Sequence, residues 1–227
     1  DHGKTTLIDA LFRASGTAIR TVDNQTCIMD SNDQERERGI TIVSKNTAIT
    51  WNNFQINIID TPGHADFGGE VERVLSMVDG VCLLVDAIDG PMPQTRFVTQ
   101  KAFAQGLSPL VIVNKIDRPA ARPDWVIDQV FDLFDQLGAS DAQLDFPIVY
   151  ASALQGTSGR SPSEIQPNMT AFFEAIVKHI PAPNVDPKGP FQMQISALDY
   201  DTYTGIIGIG RIQRGYLSAN SAVKVID

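Results

Sequence analysis

Several classes of protein are excluded by what the 227-residue chain lacks. It has two cysteines, Cys27 in a polar stretch and Cys82 in the apolar run GVCLLVDA, and no Cys-x-x-Cys pair. That argues against a disulfide scaffold or a thiolate metal site and suits a reducing cytoplasm. No stretch reaches the roughly eighteen apolar residues that a membrane-spanning helix needs, so no span is expected. No charged-then-apolar signal segment opens the chain. Basic charge is scarce as well, with 18 Lys and Arg against 27 Asp and Glu, a formal net charge of −9. Nonspecific nucleic-acid binding grows from clustered Lys and Arg, and no such cluster is present. Any RNA contact would therefore come mainly from elsewhere in the protein. What is there is apolar: 43% of the residues are hydrophobic, enough for a substantial core and too many for a disordered chain.

The pattern along the chain is that of an α/β domain followed by strands. Leu7, Ile8, Leu11 and Phe12 form one helical stripe within residues 3–15, and Gly16 is a natural stop. A charged, polar stretch runs from there to about Gly39 and reads as a long loop. TAITW and FQINIID are two strands joined by Asn52-Asn53, a hairpin signal because Asn tolerates the left-handed conformation. Apolar strands then follow at 80–87, 109–115 and 147–153, with helical patterns around 67–78, 94–105, 123–137 and 169–179. Short buried strands alternating with helices predict a doubly wound, mostly parallel sheet. HIPAPNVDPKGP carries four prolines and reads as a linker, and FQMQISALDY and TGIIGIGRIQRG beyond it read as strands of a second, all-β domain.

In such sheets ligands bind beyond the carboxyl ends of the strands. DHGKTT at the start matches the end of a phosphate-binding loop, whose first glycine would fall three residues before Asp1. The backbone N–H groups and dipole of the helix start favour phosphate oxygens. Lys4 would reach the β- and γ-phosphates, and the Thr5 hydroxyl would hold Mg²⁺. Asp60, ending the second hairpin strand, would hold the metal's water shell, and Gly63 could approach the γ-phosphate closely for want of a side chain. After the next strands come Asn114-Lys115-Ile116-Asp117 and Ser152-Ala153-Leu154. A carboxylate at 117 can accept from both N1–H and the 2-amino group of guanine, whereas adenine offers neither donor. Each motif alone is weak. Their order, spacing and strand placement together point to a guanine nucleotide, GTP or GDP, with Mg²⁺.

With DHGKTT, RERGITI, DTPGHADF, NKID and SAL in this order, the chain resembles the translational GTPases over nearly all its length. DFGGEVERVLSMVDGVCLLVDAIDGPMPQTRFV and DRPAARPDWV resemble, more narrowly, the BipA/TypA group of ribosome-associated GTPases. The resemblance implies a P-loop GTPase domain over 1–180, a linker over 181–190, and the start of a β-barrel second domain over 191–227. It implies nucleotide contacts from Asp1, His2, Gly3, Lys4, Thr5 and Thr6 as well as from the two later boxes. Thr41 would close on Mg²⁺ and the γ-phosphate as part of a switch, with Ile40 in an apolar gate. His64 would orient the attacking water when the ribosome engages. In such proteins a buried strand and an Ala-His-Val-like tripeptide precede the position of Asp1, and further domains follow. The implied activity is ribosome-stimulated hydrolysis of GTP to GDP and phosphate by a cytoplasmic monomer, in stress adaptation or ribosomal subunit assembly, with the ribosome as partner and neither membrane nor DNA. Another translational GTPase, such as a ribosomal protection factor or an elongation factor G-like protein, stays open. So does a non-catalytic GTP-dependent ribosome-binding module, though His64 favours the enzyme.

Overall fold

The computed structural model describes residues 2–16, 45–61 and 68–226. The chain divides into two compact units, Asp1–Pro181 and Ala182–Asp227. The first begins with helix α1 (Lys4–Ser15), then a hairpin of β1 (Lys45–Trp51) and β2 (Phe54–Asp60). Trp51 pairs with Phe54 around the two-residue turn, where Asn52 takes φ 51°. Helix α2 (Gly68–Leu75), β3 (Val81–Asp86), α3 (Pro93–Ala104), β4 (Pro109–Asn114), α4 (Pro123–Gln136), the short α5 (Asp141–Leu144) and β5 (Ile148–Ser152) follow. Two further strands, β6 (Thr157–Gly159) and β7 (Ile165–Gln166), and helix α6 (Thr170–His179) complete the unit.

Among the described residues, β3 to β7 form one five-stranded sheet in sequence order, and β1–β2 pair by themselves. β3, β4 and β5 run parallel, joined by crossovers long enough to hold a helix. β6 and β7 turn antiparallel. Only residues 153–156 separate β5 from β6, too few for a parallel crossover. The sequence pattern gives no sign of these two strands, because β6 is only Thr-Ser-Gly and β7 only two residues long.

The alternation of side chains along the strands explains why helices cover both faces. Leu84, Leu110, Ile112, Val149 and Ala151 pack with the α1 stripe and with Phe172, Phe173 and Ile176 of α6. Their neighbours Leu83, Val85, Val111, Val113 and Tyr150 pack instead with Val126, Val130, Leu133 and Phe134 of α4. Every residue of β4 is buried, as a central strand sandwiched between helices requires. Each large apolar side chain so buried contributes about 1.5–3 kcal/mol. Trp51 stacks on Phe173 with ring centroids 5.2 Å apart, which fastens the β1–β2 hairpin to α6. Phe134 meets Phe103 and Phe146 edge-on at 5.1 and 4.9 Å, closing the opposite core.

The second unit contains a hairpin of two ten-residue strands, β8 (Gln192–Asp201) and β9 (Gly205–Arg214), with bulges at Gln192/Met193 and Ile195/Ala197. Asp186, within the proline-rich segment, is tied to it: its N–H donates to the Gln213 carbonyl and its own carbonyl accepts from Gly215. Leu198, Tyr200 and Ile206 of the hairpin are exposed. Among the described residues no helix is long and apolar enough to cross a membrane.

Candidate functional site

Four strand ends converge on the start of α1. Gly3 caps this helix at φ 86°, and the first helical hydrogen bond runs from the Leu7 N–H to the Gly3 carbonyl at 3.0 Å. The N–H groups of Lys4, Thr5 and Thr6 therefore precede any intrahelical acceptor, and no side chain caps them. The first turn holds no carboxylate, so nothing of its own competes with an anion for the positive end of the dipole. Gly3 is required twice over. The left-handed φ disfavours other residues, and a Cβ there would lie 3.0 Å from Asn114 Nδ2.

Asn114, the buried last residue of β4, joins the boxes. Its Nδ2 donates to the His2 carbonyl at 2.9 Å, and its Oδ1 accepts from the Ala153 N–H at 2.9 Å. The loop at His2–Gly3, the 114–117 loop and the 152–154 loop are thus bound through one amide. Its orientation is fixed, because a carbonyl can only accept and an N–H can only donate. Both polar ends of Asn114 are used within the protein. These two bonds use one of its two amide N–H groups and one lone pair, so the side chain builds the site and keeps a donor in reserve. Asp117 is exposed, and its carboxylate has no hydrogen-bond partner among the described residues. Lys115 sits at φ 66° with Nζ 2.5 Å from Asp86 Oδ2. Ile116 donates its N–H to the Ala151 carbonyl at 3.3 Å and packs on the α4 core. Ser152 is buried and its Oγ accepts from the Gln155 N–H at 3.3 Å, while Leu154 points outward.

His2 does more than supply backbone. Its Nδ1 accepts from the Asp86 N–H at 2.9 Å and its Nε2 lies 3.3 Å from Thr95 Oγ1. Nδ1 is therefore unprotonated and the ring is neutral. Burial pushes its pKa down to about 4. Lys4 is also held below its ordinary pKa by burial, against the opposing pull of Asp60. Asp60 is buried at the end of β2, so Lys4 and this carboxylate share one electrostatic neighbourhood.

A match to the family described as the elongation factor Tu GTP binding domain covers residues 1–182. The chain belongs to that family. Over all 227 residues it is 66% identical to the large ribosomal subunit assembly factor BipA of Escherichia coli strain K12, and 62% identical to that of Buchnera aphidicola subsp. Schizaphis graminum. It spans 37% of the length of each of these relatives. The structure of a bacterial selenocysteine-specific elongation factor EF-Sec matches with a TM-score of 0.67 at 22% identity, over 95% of this chain and 33% of that one. At that identity the likeness is one of fold.

Within this GTP-binding domain the described residues bring together His2 to Thr6, Asp60, Asn114 to Asp117 and Ser152 to Leu154. Asp1, Ile40, Thr41, Gly63 and His64 lie outside the described residues. The residue that sequence reasoning passed over is Asp86. The signal was available: β3 ends on Asp86 as β2 ends on Asp60 and β4 on Asn114, and the register sets Asp86 beside Asn114.

Proposed function

We propose that the complete protein is a Mg²⁺-dependent GTPase that acts on the bacterial ribosome, in assembly of its large subunit. The observation that carries the nucleotide part is the double hydrogen bond of Asn114, which ties the phosphate loop to both base-side loops. The ribosomal part rests on the likeness to BipA, whose curated names specify large-subunit assembly.

The residues suit a magnesium ion. Mg²⁺ prefers hard oxygen donors, and the Thr5 hydroxyl and buried Asp60 carboxylate are of that kind. Thr41 would complete the set. When bound, the ion would neutralise charge on the β- and γ-phosphates. The chain's own groups would do the rest. The uncapped N–H groups at the start of α1 would receive phosphate oxygens, and Lys4 would add a charge-assisted contact. Lys4, although its pKa is lowered, would be charged beside a phosphate, since an anion favours the ammonium form. Asp117 would accept from the two guanine donors and leave its lone pairs unmatched against adenine. His64 would orient the water for in-line attack, a task that needs positioning more than basicity. GTP and ATP binding, with and without Mg²⁺, and GTP turnover with and without ribosomes, are the tests on the complete protein. Equal affinity for ATP and GTP would remove the guanine reading. Turnover indifferent to ribosomes would remove the ribosome as activator, and tight GTP binding without any turnover would leave a binding module.

A further inference from the structure

Asp86 is 2% exposed and belongs to no nucleotide-contacting box. A buried carboxylate is costly unless its charge is compensated, so its surroundings are informative. Oδ1 accepts the N–H of Ile88 at 2.8 Å and of Asp89 at 3.4 Å. Oδ2 pairs with Lys115 Nζ. Burial opposes ionisation, but Lys115 and the two N–H donors outweigh it and hold the carboxyl below its ordinary range. Its backbone N–H, meanwhile, donates to His2 Nδ1 at 2.9 Å. One residue thus holds the base-side loop by its side chain and the phosphate loop by its main chain.

Lys115 needs such a hold. Its φ of 66° is unfavourable for a residue with a side chain, so the conformation persists only where its surroundings impose it. The loop carrying the other Asp86 partners is itself braced. Arg122 donates from Nε and Nη2 to the Ile88 carbonyl at 3.3 and 3.2 Å, and its guanidinium lies 3.7 Å over the Trp125 ring. Trp125 in turn packs where Gly90 has no Cβ, a contact that would otherwise be 3.1 Å. The DRPAARPDWV segment therefore supports the loop after β3.

We propose that Asp86 is a positioning residue of the nucleotide site: its carboxylate fixes Lys115, and with it the 114–117 loop, in the geometry that receives the base. This rests on the reading of the site as one for guanine nucleotides. Because the effect passes through the base-side loop, it should be shared equally by GTP and GDP.

The test is a double-mutant cycle in the complete protein with Asp86→Asn and Lys115→Met, measuring GDP and GTP dissociation constants in Mg²⁺. The amide of D86N can still accept from the Ile88 N–H but loses the charge that holds Lys115. With Lys115 present, D86N should weaken both nucleotides by roughly tenfold to a hundredfold, the scale of a charge-assisted bond. In the K115M background the same change should cost less than about threefold. An equal loss in both backgrounds means that Asp86 is merely structural and overturns the proposal, as does a loss under about threefold with Lys115 present. Asp86→Ser, whose hydroxyl can also accept from the Ile88 N–H, repeats the cycle if D86N does not fold. A wild-type protein that binds neither nucleotide would sink the guanine reading itself; a wild type that binds while the cycle shows no coupling sinks only the role of Asp86.

Discussion

Replacing Asn114 by alanine removes two hydrogen bonds and leaves both partners in place. The Ala153 N–H loses its 2.9 Å acceptor, and the His2 carbonyl loses its 2.9 Å donor. Asn114 is 1% exposed and Ala153 5%, so water is a poor substitute. An abandoned buried partner costs about 1–3 kcal/mol, so N114A should destabilise the domain by about 2–6 kcal/mol. For a unit of this size that corresponds to a fall of roughly 5–20 °C in its unfolding transition. Calorimetry on the complete protein reads this, and hydrogen exchange localises it. Protection of the Ala153 amide should drop by at least about thirtyfold, the factor equivalent to 2 kcal/mol. Asn114→Asp separates the two halves: its carboxylate can still accept from Ala153 but cannot donate to His2, so it should keep Ala153 protected while weakening GDP binding. An N114A protein that melts within about 1 °C of wild type, with Ala153 still protected, would show that the amide does not tie the loops together.

Asp117→Asn should shift preference from GTP towards XTP, since an amide can donate to the oxygen that xanthine carries in place of the guanine 2-amino group; unchanged GTP affinity would count against base reading by Asp117. His64→Ala should leave GTP affinity nearly intact and cut ribosome-stimulated turnover by roughly a hundredfold or more, and a loss under about threefold would remove its assigned part. The pH dependence follows from His2, whose folded pKa of about 4 lies below the unfolded value near 6.5. The unfolded chain binds the extra proton first, so the contribution is complete above about pH 6.5 and is lost as the pH falls towards 4. Urea midpoints at pH 7, 6 and 5 check this against His2→Asn, whose curve should be flatter over that window; parallel curves would mean that the ring is not held neutral.

Much of the fold was legible because its signals are local and periodic. The stripe of Leu7, Ile8, Leu11 and Phe12 predicts α1, and all four are buried. The run PLVIVN reads as a strand buried on both faces, and β4 is one. β6 and β7 were not legible, since a three-residue strand of Thr, Ser and Gly has no apolar alternation and is held by its register with β5. The layout of the hairpin after the proline-rich segment was anticipated in its strands, whereas the anchoring of Asp186 to β9 rests on main-chain hydrogen bonds that no residue type announces.

The site divides along the same line. Residues that would touch the ligand through a fixed chemistry, such as Lys4 or Asp117, can be read from type and spacing. Residues that hold those residues cannot, because their partners come from distant strands. His2 lies 84 positions from the Asp86 N–H it accepts, and 112 from the Asn114 amide that donates to its carbonyl. What makes these links inferable is topology. In a parallel sheet every strand ends at the same edge, so the terminal residue of each is placed beside its neighbour's whatever lies between them in sequence. The register of Asp86 against Asn114 is an instance. A polar residue ending an otherwise apolar strand of such a sheet faces burial at the ligand edge, where only a ligand or another polar terminus can compensate it. Asp86, Asn114 and Ser152 meet that condition and are buried, and Asp60 is buried likewise at the end of its hairpin strand. Asn114 bonds through its side chain both to His2 and to Ala153, which is why removing it should disturb both ends of the nucleotide site together.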